Sequence, residues 1–220
     1  MTGRQNASSR PRILDLFCCQ GGAAMGYHNA GFEVVGVDID PQPHYPFEFW
    51  QMDALTWGDW DFFDAIHASP PCQRYSKATH LRGYEHPDLI AATRELLIAS
   101  GLPYVIENVE GARDELVDPV MLCGSMFGLR VYRHRYFETN FSLTAPWHPK
   151  HWLRQVKMGR PPAWDEIHQP VGNFSAVDEG REAMEMPWAS RDGLREAIPP
   201  RYAEHVGGRL MAHLLREAAA

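Results

Sequence analysis

Cys72 stands in the run Ala68-Ser69-Pro70-Pro71-Cys72-Gln73, directly after a short apolar stretch. Two prolines fix the backbone and remove amide donors, so the thiol that follows is held where an active-site loop needs it. As a thiolate, such a group attacks electron-poor carbon. Taken alone, the same cysteine reads better as a half-buried structural thiol in a turn. Its company changes that balance. Asp38, Asp53 and the pair Glu107-Asn108 each close a short apolar run, and Arg133 and Arg135 follow further on, flanking His134. A thiol, three acids and two guanidinium groups are a set able to attack, stabilise and orient.

These groups need a frame, and the chain supplies a repeating one. Residues 12–17 read as a buried strand, followed by the turn Cys18-Cys19-Gln20-Gly21-Gly22, a small-residue helix over 23–29 stopping near Gly31, and a second strand over 32–37. Glycines let a backbone approach a ligand, a helix start presents unpaired amides, and an acid ending the second strand is placed to bond a pair of ribose hydroxyls. A full GxGxxG is absent, and a glycine pair that serves packing competes with the ligand reading. Residues 49–53, 65–68 and 104–106 give a third, fourth and fifth strand, and 87–100 an amphipathic helix ended by Gly101. Such alternation predicts an α/β fold, a mostly parallel sheet with helices on both faces, in which ligands bind beyond the carboxyl ends of the strands. Asp38, Asp53, Cys72 and Glu107 then line one rim.

A chain of 220 residues suits one such domain with a small appended lobe. Its opening residues lack the apolar stretch of a signal peptide, and no apolar run reaches membrane-spanning length, so residues 1–10 read as a flexible tail of a cytoplasmic protein without a membrane partner. The four cysteines form no CxxC pair, which fits reduced thiols. A net charge of −7 argues against a wholly basic nucleic-acid coat. Residues 130–160 nevertheless carry Arg130, Arg133, Arg135, Lys150, Arg154, Lys157 and Arg160 against Glu138 alone. That window is either a phosphate-binding face or a solvated basic surface.

Asp15-Leu16-Phe17 with Gly21-Gly22, Pro70-Pro71-Cys72-Gln73, Glu107-Asn108-Val109 and Arg133-His134-Arg135 resemble, in the same order, four signature blocks of the cytosine-5 DNA methyltransferases. Arg181 and residues 197–207 resemble the closing blocks, so the likeness spans residues 12–216. The compact form is most similar to small phage-type members. The resemblance implies a Rossmann-like class I fold that uses S-adenosylmethionine, with a catalytic and cofactor domain over 11–139, a short target-recognition lobe over 140–180 and a closing segment over 181–220. It implies that Cys72 adds to carbon-6 of cytosine, that Glu107 bonds ring N3 and the exocyclic amine, and that Arg135 and Arg133 bind the O2 side or a neighbouring phosphate. Phe17, Gly21, Gly22, Asp38, Asp53 and Pro70 are implied for the cofactor. Gln73 and Ser76 are implied for the substrate side, and so is Asn108, there as support for the Cys72 loop. No metal is implied, and the expected assembly is a monomer acting on cytosine in DNA.

The chain departs from the family pattern in places. Cys19 stands where a glycine is usual, Val131 where a glutamine often opens the arginine block, and Gly208 where an asparagine often follows Gly207. The recognition region is also short. It interleaves Trp147, Trp152 and Trp164 with His148, His151, His168 and basic residues, which suits either base stacking or a small core of the lobe's own. The His148/His151 pair has no cysteine near it in sequence, which points away from a metal. With so short a lobe, the same chemistry on RNA or a free cytosine nucleotide is the alternative substrate reading. An inactive DNA-binding module is the alternative of a different class.

Overall fold

The structure is a computed structural model that describes residues 10–71 and 89–219. Cys72, Gln73 and Ser76 lie outside the described residues, as does all but the last residue of the tail expected over 1–10.

Apolar runs buried on both faces build the centre of the sheet, and the partly exposed β3 lies at its edge. β1 (Arg12–Leu16), β2 (Glu33–Asp38), β3 (Glu48–Gln51), β4 (Ala65–Ala68) and β5 (Tyr104–Val109) pair in parallel. β6 (Val120–Leu122) and β7 (Arg135–Thr139) extend it antiparallel, giving the order β3-β2-β1-β4-β5-β7-β6. Two parallel strands, β8 (Arg154–Val156) and β9 (Glu166–His168), form a separate small sheet.

Successive residues of a strand point to opposite faces, and the core divides accordingly. On one face Ile13, Val34, Ala65, Val105 and Phe137 meet Tyr27 of α1 (Gly22–Asn29) and Tyr202, Val206 and Leu210 of α5 (Pro200–Ala218). On the other, Leu14, Leu16, Val35, Val37, Ile66 and Ile106 meet Ile90 and Leu97 of α2 (Ile90–Ser100). A third cluster joins Val131 and Phe174 to α3 (Val177–Met184) and α4 (Arg191–Glu196) through Met184 and Leu194. Helices thus cover both faces of a mostly parallel sheet, as the alternation predicts. No helix of the described residues is long and apolar enough to cross a membrane.

Close packing of α1 on α5 makes neighbouring glycines unequal. A Cβ on Gly207 would lie 2.7 Å from Ala30 Cβ, whereas one on the exposed Gly208 would meet nothing within 4 Å. Gly207→Ala is expected to destabilise the protein by about 1–3 kcal/mol through overpacking. Gly208→Ala is expected to stabilise it by up to about 1 kcal/mol, the helix-propensity gain at an open site. Urea unfolding of the two variants checks the opposite signs.

Candidate active site

Three strand ends are tied together where the loops leave the sheet. The Ser69 amide donates to Leu16 O (3.1 Å), and the Cys18 amide to Val37 O (3.1 Å). Each carboxylate oxygen of Asp38 accepts one amide, from Cys19 and Asp40, both at 3.0 Å. Each oxygen retains a further lone pair, so Asp38 still has acceptor capacity for ligand hydroxyls. The turn holds three left-handed residues, Phe17 (φ 58°), Cys19 (φ 45°) and Gly21 (φ 78°). Cys19 adopts there a conformation that favours glycine, and its amide bond to Asp38 holds it in place.

Both positions of the glycine pair are closed to a side chain by neighbouring protein. A Cβ on Gly21 would sit 2.8 Å from Pro46 Cδ and 3.0 Å from the Tyr45 ring, and one on Gly22 would collide with Ile198 O. Between them and the strand end, Gln20 clips the turn to a distant segment. Its side chain donates to Ser190 Oγ and accepts from the Ser190 amide, both at 2.9 Å, while Trp188 Nε1 donates to Gln20 O at 2.8 Å. Phe17 is half-buried against the second core cluster, and Pro70 is buried. Asp53 is exposed, and its Oδ1 accepts from Leu55 N (3.0 Å) to cap a short turn. Ile39, an apolar residue 65% exposed directly after Asp38, adds an open apolar surface to this rim. It escaped the sequence reading because an isoleucine beside a buried strand reads as core.

Glu107 lies inside β5, not beyond it, because antiparallel β7 keeps the ladder going as far as Val109. The pairing sets Val109 opposite Arg135, which leaves Arg135 diagonal to Glu107 on the same face. Arg135 Nε is 3.0 Å from Glu107 Oε1, and Ser69 Oγ donates to Glu107 Oε2 at 2.9 Å. Burial raises the Glu107 pKa above the ordinary glutamate range, with Arg135, the Ser69 hydroxyl and Arg133 pulling it back down. Behind Ser69 runs a line of contacts that nothing in the sequence announced: His67 Nε2 lies 2.9 Å from Ser69 Oγ, and Tyr27 OH 2.9 Å from His67 Nδ1. Because the Ser69 proton goes to Glu107, His67 Nε2 donates to Ser69 and Nδ1 accepts from Tyr27. Complete burial lowers the His67 pKa to about 3, which keeps the imidazole neutral in that tautomer.

Asn108 and Arg133 are spent on the frame. Asn108, 2% exposed, donates from Nδ2 to Pro70 O (3.0 Å) and accepts the Val109 amide (2.9 Å). It therefore braces the chain just before position 72. Arg133, 3% exposed, donates to Pro170 O (3.0 Å) and to Arg195 O, and its own carbonyl accepts from Tyr202 OH (2.6 Å). These bonds tie the residues just before β7 to Pro170, α4 and α5. Arg135 donates from Nη1 to His134 O (2.9 Å) and remains beside Glu107.

The basic window divides in the same way. Arg130 Nη2 donates to Ala163 O (2.9 Å) and Trp164 O (3.1 Å), and Arg160 pairs with the buried Glu166 at 2.6 Å. Arg154 reaches Glu166 only at 3.9 Å with its side chain 79% exposed, and Lys150 lies over the Trp152 ring at 5.6 Å. Trp147, Trp152 and Trp164 are all at least 80% exposed, so none is a core residue of the lobe. Sequence charge and pattern left both the basic window and the tryptophans undecided.

Residues 11–115 match the family model of the C-5 cytosine-specific DNA methylase. No curated protein matches the chain. Among solved structures, the chain is similar to a DNA modification methyltransferase encoded within an E. coli prophage, at 14% identity and TM-score 0.65, covering 94% of this chain and 99% of that one. It is similar also to the S. pombe Dnmt2 methyltransferase (14% identity, TM-score 0.58, 94% and 99% covered) and to the Entamoeba histolytica methyltransferase EhMeth (12%, TM-score 0.60, 96% and 99% covered). At these identities the likeness shows the fold alone, a mostly parallel seven-stranded sheet with helices.

Proposed function

We propose, from the match of residues 11–115 to the C-5 cytosine-specific DNA methylase family model, that this chain methylates carbon-5 of cytosine in duplex DNA through a covalent Cys72 adduct. The observation that carries the reading is the bracing of the Cys72 loop on β5. Ser69 and Pro70, the residues leading into it, are bonded to Glu107 and Asn108 respectively, so nucleophile loop and acid are one assembly.

S-adenosylmethionine, when bound, supplies an electrophilic methyl group. The donor set on the rim fits it. Asp38 offers acceptors to the ribose hydroxyls, Asp53 has an uncapped oxygen for the adenine amine, and the half-buried Phe17 and exposed Ile39 present apolar surface. Cys72, as thiolate, adds to carbon-6 of cytosine, and the electron pair displaced from the 5,6 double bond is stabilised as Glu107 donates its proton to N3. Carbon-5 takes the methyl group. It then loses its proton to a base, and the returning electron pair expels Cys72 and restores the double bond. Arg135 holds Glu107 in place and turns cationic surface toward the base, while Arg133 anchors the strand that carries Arg135. Extruding the base from the duplex costs a few kcal/mol. The exposed Trp147 and Trp152, with Lys150 and Arg154, offer stacking and phosphate contacts toward meeting that cost.

The test is label transfer from tritiated S-adenosylmethionine to cytosine-containing duplex DNA, to RNA and to deoxycytidine monophosphate. Label in the duplex, chased to 5-methylcytosine on digestion, is the expected result. Label confined to RNA or to the mononucleotide overturns the DNA assignment, and no transfer to any of the three overturns the enzymatic reading.

A further inference from the structure

Four metal-type donors that lie apart in sequence converge on the back of the arginine block. The donor atoms of Cys123, His134, His148 and His151 all lie within 4.8 Å of one another. Cys123 Sγ is 3.3 Å from His151 Nε2, and His151 Nε2 is 3.1 Å from His148 Nε2. The His148/His151 pair lacks a cysteine in its sequence neighbourhood, but the fold brings one from 28 residues before His151. The premise on which the sequence pointed away from a metal therefore does not hold.

Hydrogen bonding alone serves this cluster poorly. His151 Nε2 faces a thiol and a second imidazole nitrogen at once, so a single atom would have to donate to one and accept from the other. His134 Nε2 is buried and has no hydrogen-bond partner among the described residues. One cation satisfies all four donors together. Tetrahedral zinc, with Zn–S about 2.3 Å and Zn–N about 2.0–2.1 Å, sets its donors about 3.3–3.7 Å apart, close to the two spacings above. The surroundings also hold the ligands as a metal site requires. The His151 ring stacks on Tyr132 at 3.6 Å and 2° between planes, and Ser125 Oγ lies 3.1 Å from Cys123 Sγ, placed to donate to a thiolate.

We propose that Cys123, His134, His148 and His151 form a structural site for zinc or a divalent ion of the same borderline character. Four protein ligands leave no open position, so the site is closed and takes no part in the chemistry. Its ligands belong to three segments: Cys123 follows β6, His134 stands between Arg133 and Arg135, and His148 and His151 lead into the recognition lobe. Binding releases the thiol proton and staples the lobe entrance to the strand carrying Arg135.

The full chain, freed of any affinity tag and dialysed against metal-free buffer, is expected to retain about one equivalent of zinc by elemental analysis. The cobalt-substituted protein is expected to show the intense visible bands of a tetrahedral ion and a near-ultraviolet thiolate-to-metal charge-transfer band. Cys123→Ser removes the charge-transfer band. His151→Ala, at an exposed position where folding is not at stake, weakens zinc binding at least about 10–100-fold, the range that loss of even an outer partner produces. Retention of well under half an equivalent by a folded chain overturns the proposal. So does a cobalt spectrum of octahedral type, or unchanged zinc affinity in His151→Ala. None of these readouts depends on methyl transfer, so failure here and failure of the methyltransferase reading are told apart.

Discussion

Cys72→Ala is expected to lower methyl transfer to duplex DNA on the order of 10⁴–10⁶-fold, the scale on which removing a covalent nucleophile acts. Cofactor binding is expected to remain, since Asp38 ends β2 and Asp53 and Phe17 stand just after β3 and β1, apart from the thiol. The wild-type chain offers a sharper readout on duplex DNA with 5-fluorocytosine at the target. Cys72 adds to carbon-6 and carbon-5 accepts the methyl group as before. The fluorine cannot leave as a proton does, so elimination stops and protein and DNA stay joined through the Cys72 sulfur. Intact-mass analysis reads this as one DNA strand plus one methyl group per chain, and peptide mapping places it on the peptide containing Cys72. An active enzyme that forms no such adduct, or a Cys72→Ala variant that keeps its rate, removes the covalent route.

Glu107→Gln is expected to separate base binding from base activation. The glutamine amide donates to N3 and its carbonyl accepts from the exocyclic amine, so the neutral glutamic acid is mimicked in the ground state. The amide cannot hand over a proton, and turnover is expected to fall about 10²–10⁴-fold with DNA affinity little changed. The pH dependence has a definite sign. Burial raises the Glu107 pKa in the folded protein, so the active acid form is present at low pH and is lost as pH rises through that raised value. The corresponding limb of the wild-type kcat profile disappears in the variant. Stability follows the same linkage. As pH climbs past the ordinary glutamate range, the unfolded chain ionises before the folded one, and the wild type loses stability relative to Glu107→Gln. Urea unfolding of both proteins at acid and neutral pH is expected to show the variant gaining ground on the neutral side. A constant difference removes the buried-acid argument.

The parallel half of the sheet could be read from sequence because β1, β2, β4 and β5 are buried on both faces and appear as continuous apolar runs ending in a polar residue. β7 could not. Its residues Arg135–Thr139 mix charge and aromatic character, and their strand state depends on β5 and β6, which arrive from elsewhere in the chain. Residue type located Glu107 and Arg135, but only the antiparallel register set one diagonal to the other. A residue type also does not reveal what fills the space around it. Tyr45, Pro46 and Ile198 lie where a side chain at Gly21 or Gly22 would go, and Pro170 and Arg195 hold Arg133, none of which the sequence marks. The Tyr27–His67–Ser69 line behind Glu107 was out of reach because no local pattern marks three polar side chains from different elements as contacts.

The clip through Gln20 bears on the order in which the protein becomes competent during synthesis. The turn after β1 emerges from the ribosome early, yet the groups that hold it, Trp188, Ser190 and the Ile198 carbonyl, emerge some 170 residues later. A nascent chain that has completed β1 to β5 owns every acid on the cofactor rim but not the shape of the loop between them. Contacts of such long sequence separation form late, after the cost of closing the chain has been met. On the proposed reading, the turn beside the cofactor rim is thus set by one of the last segments made, and a chain that stops short of residue 188 is expected to lack the clip that holds it.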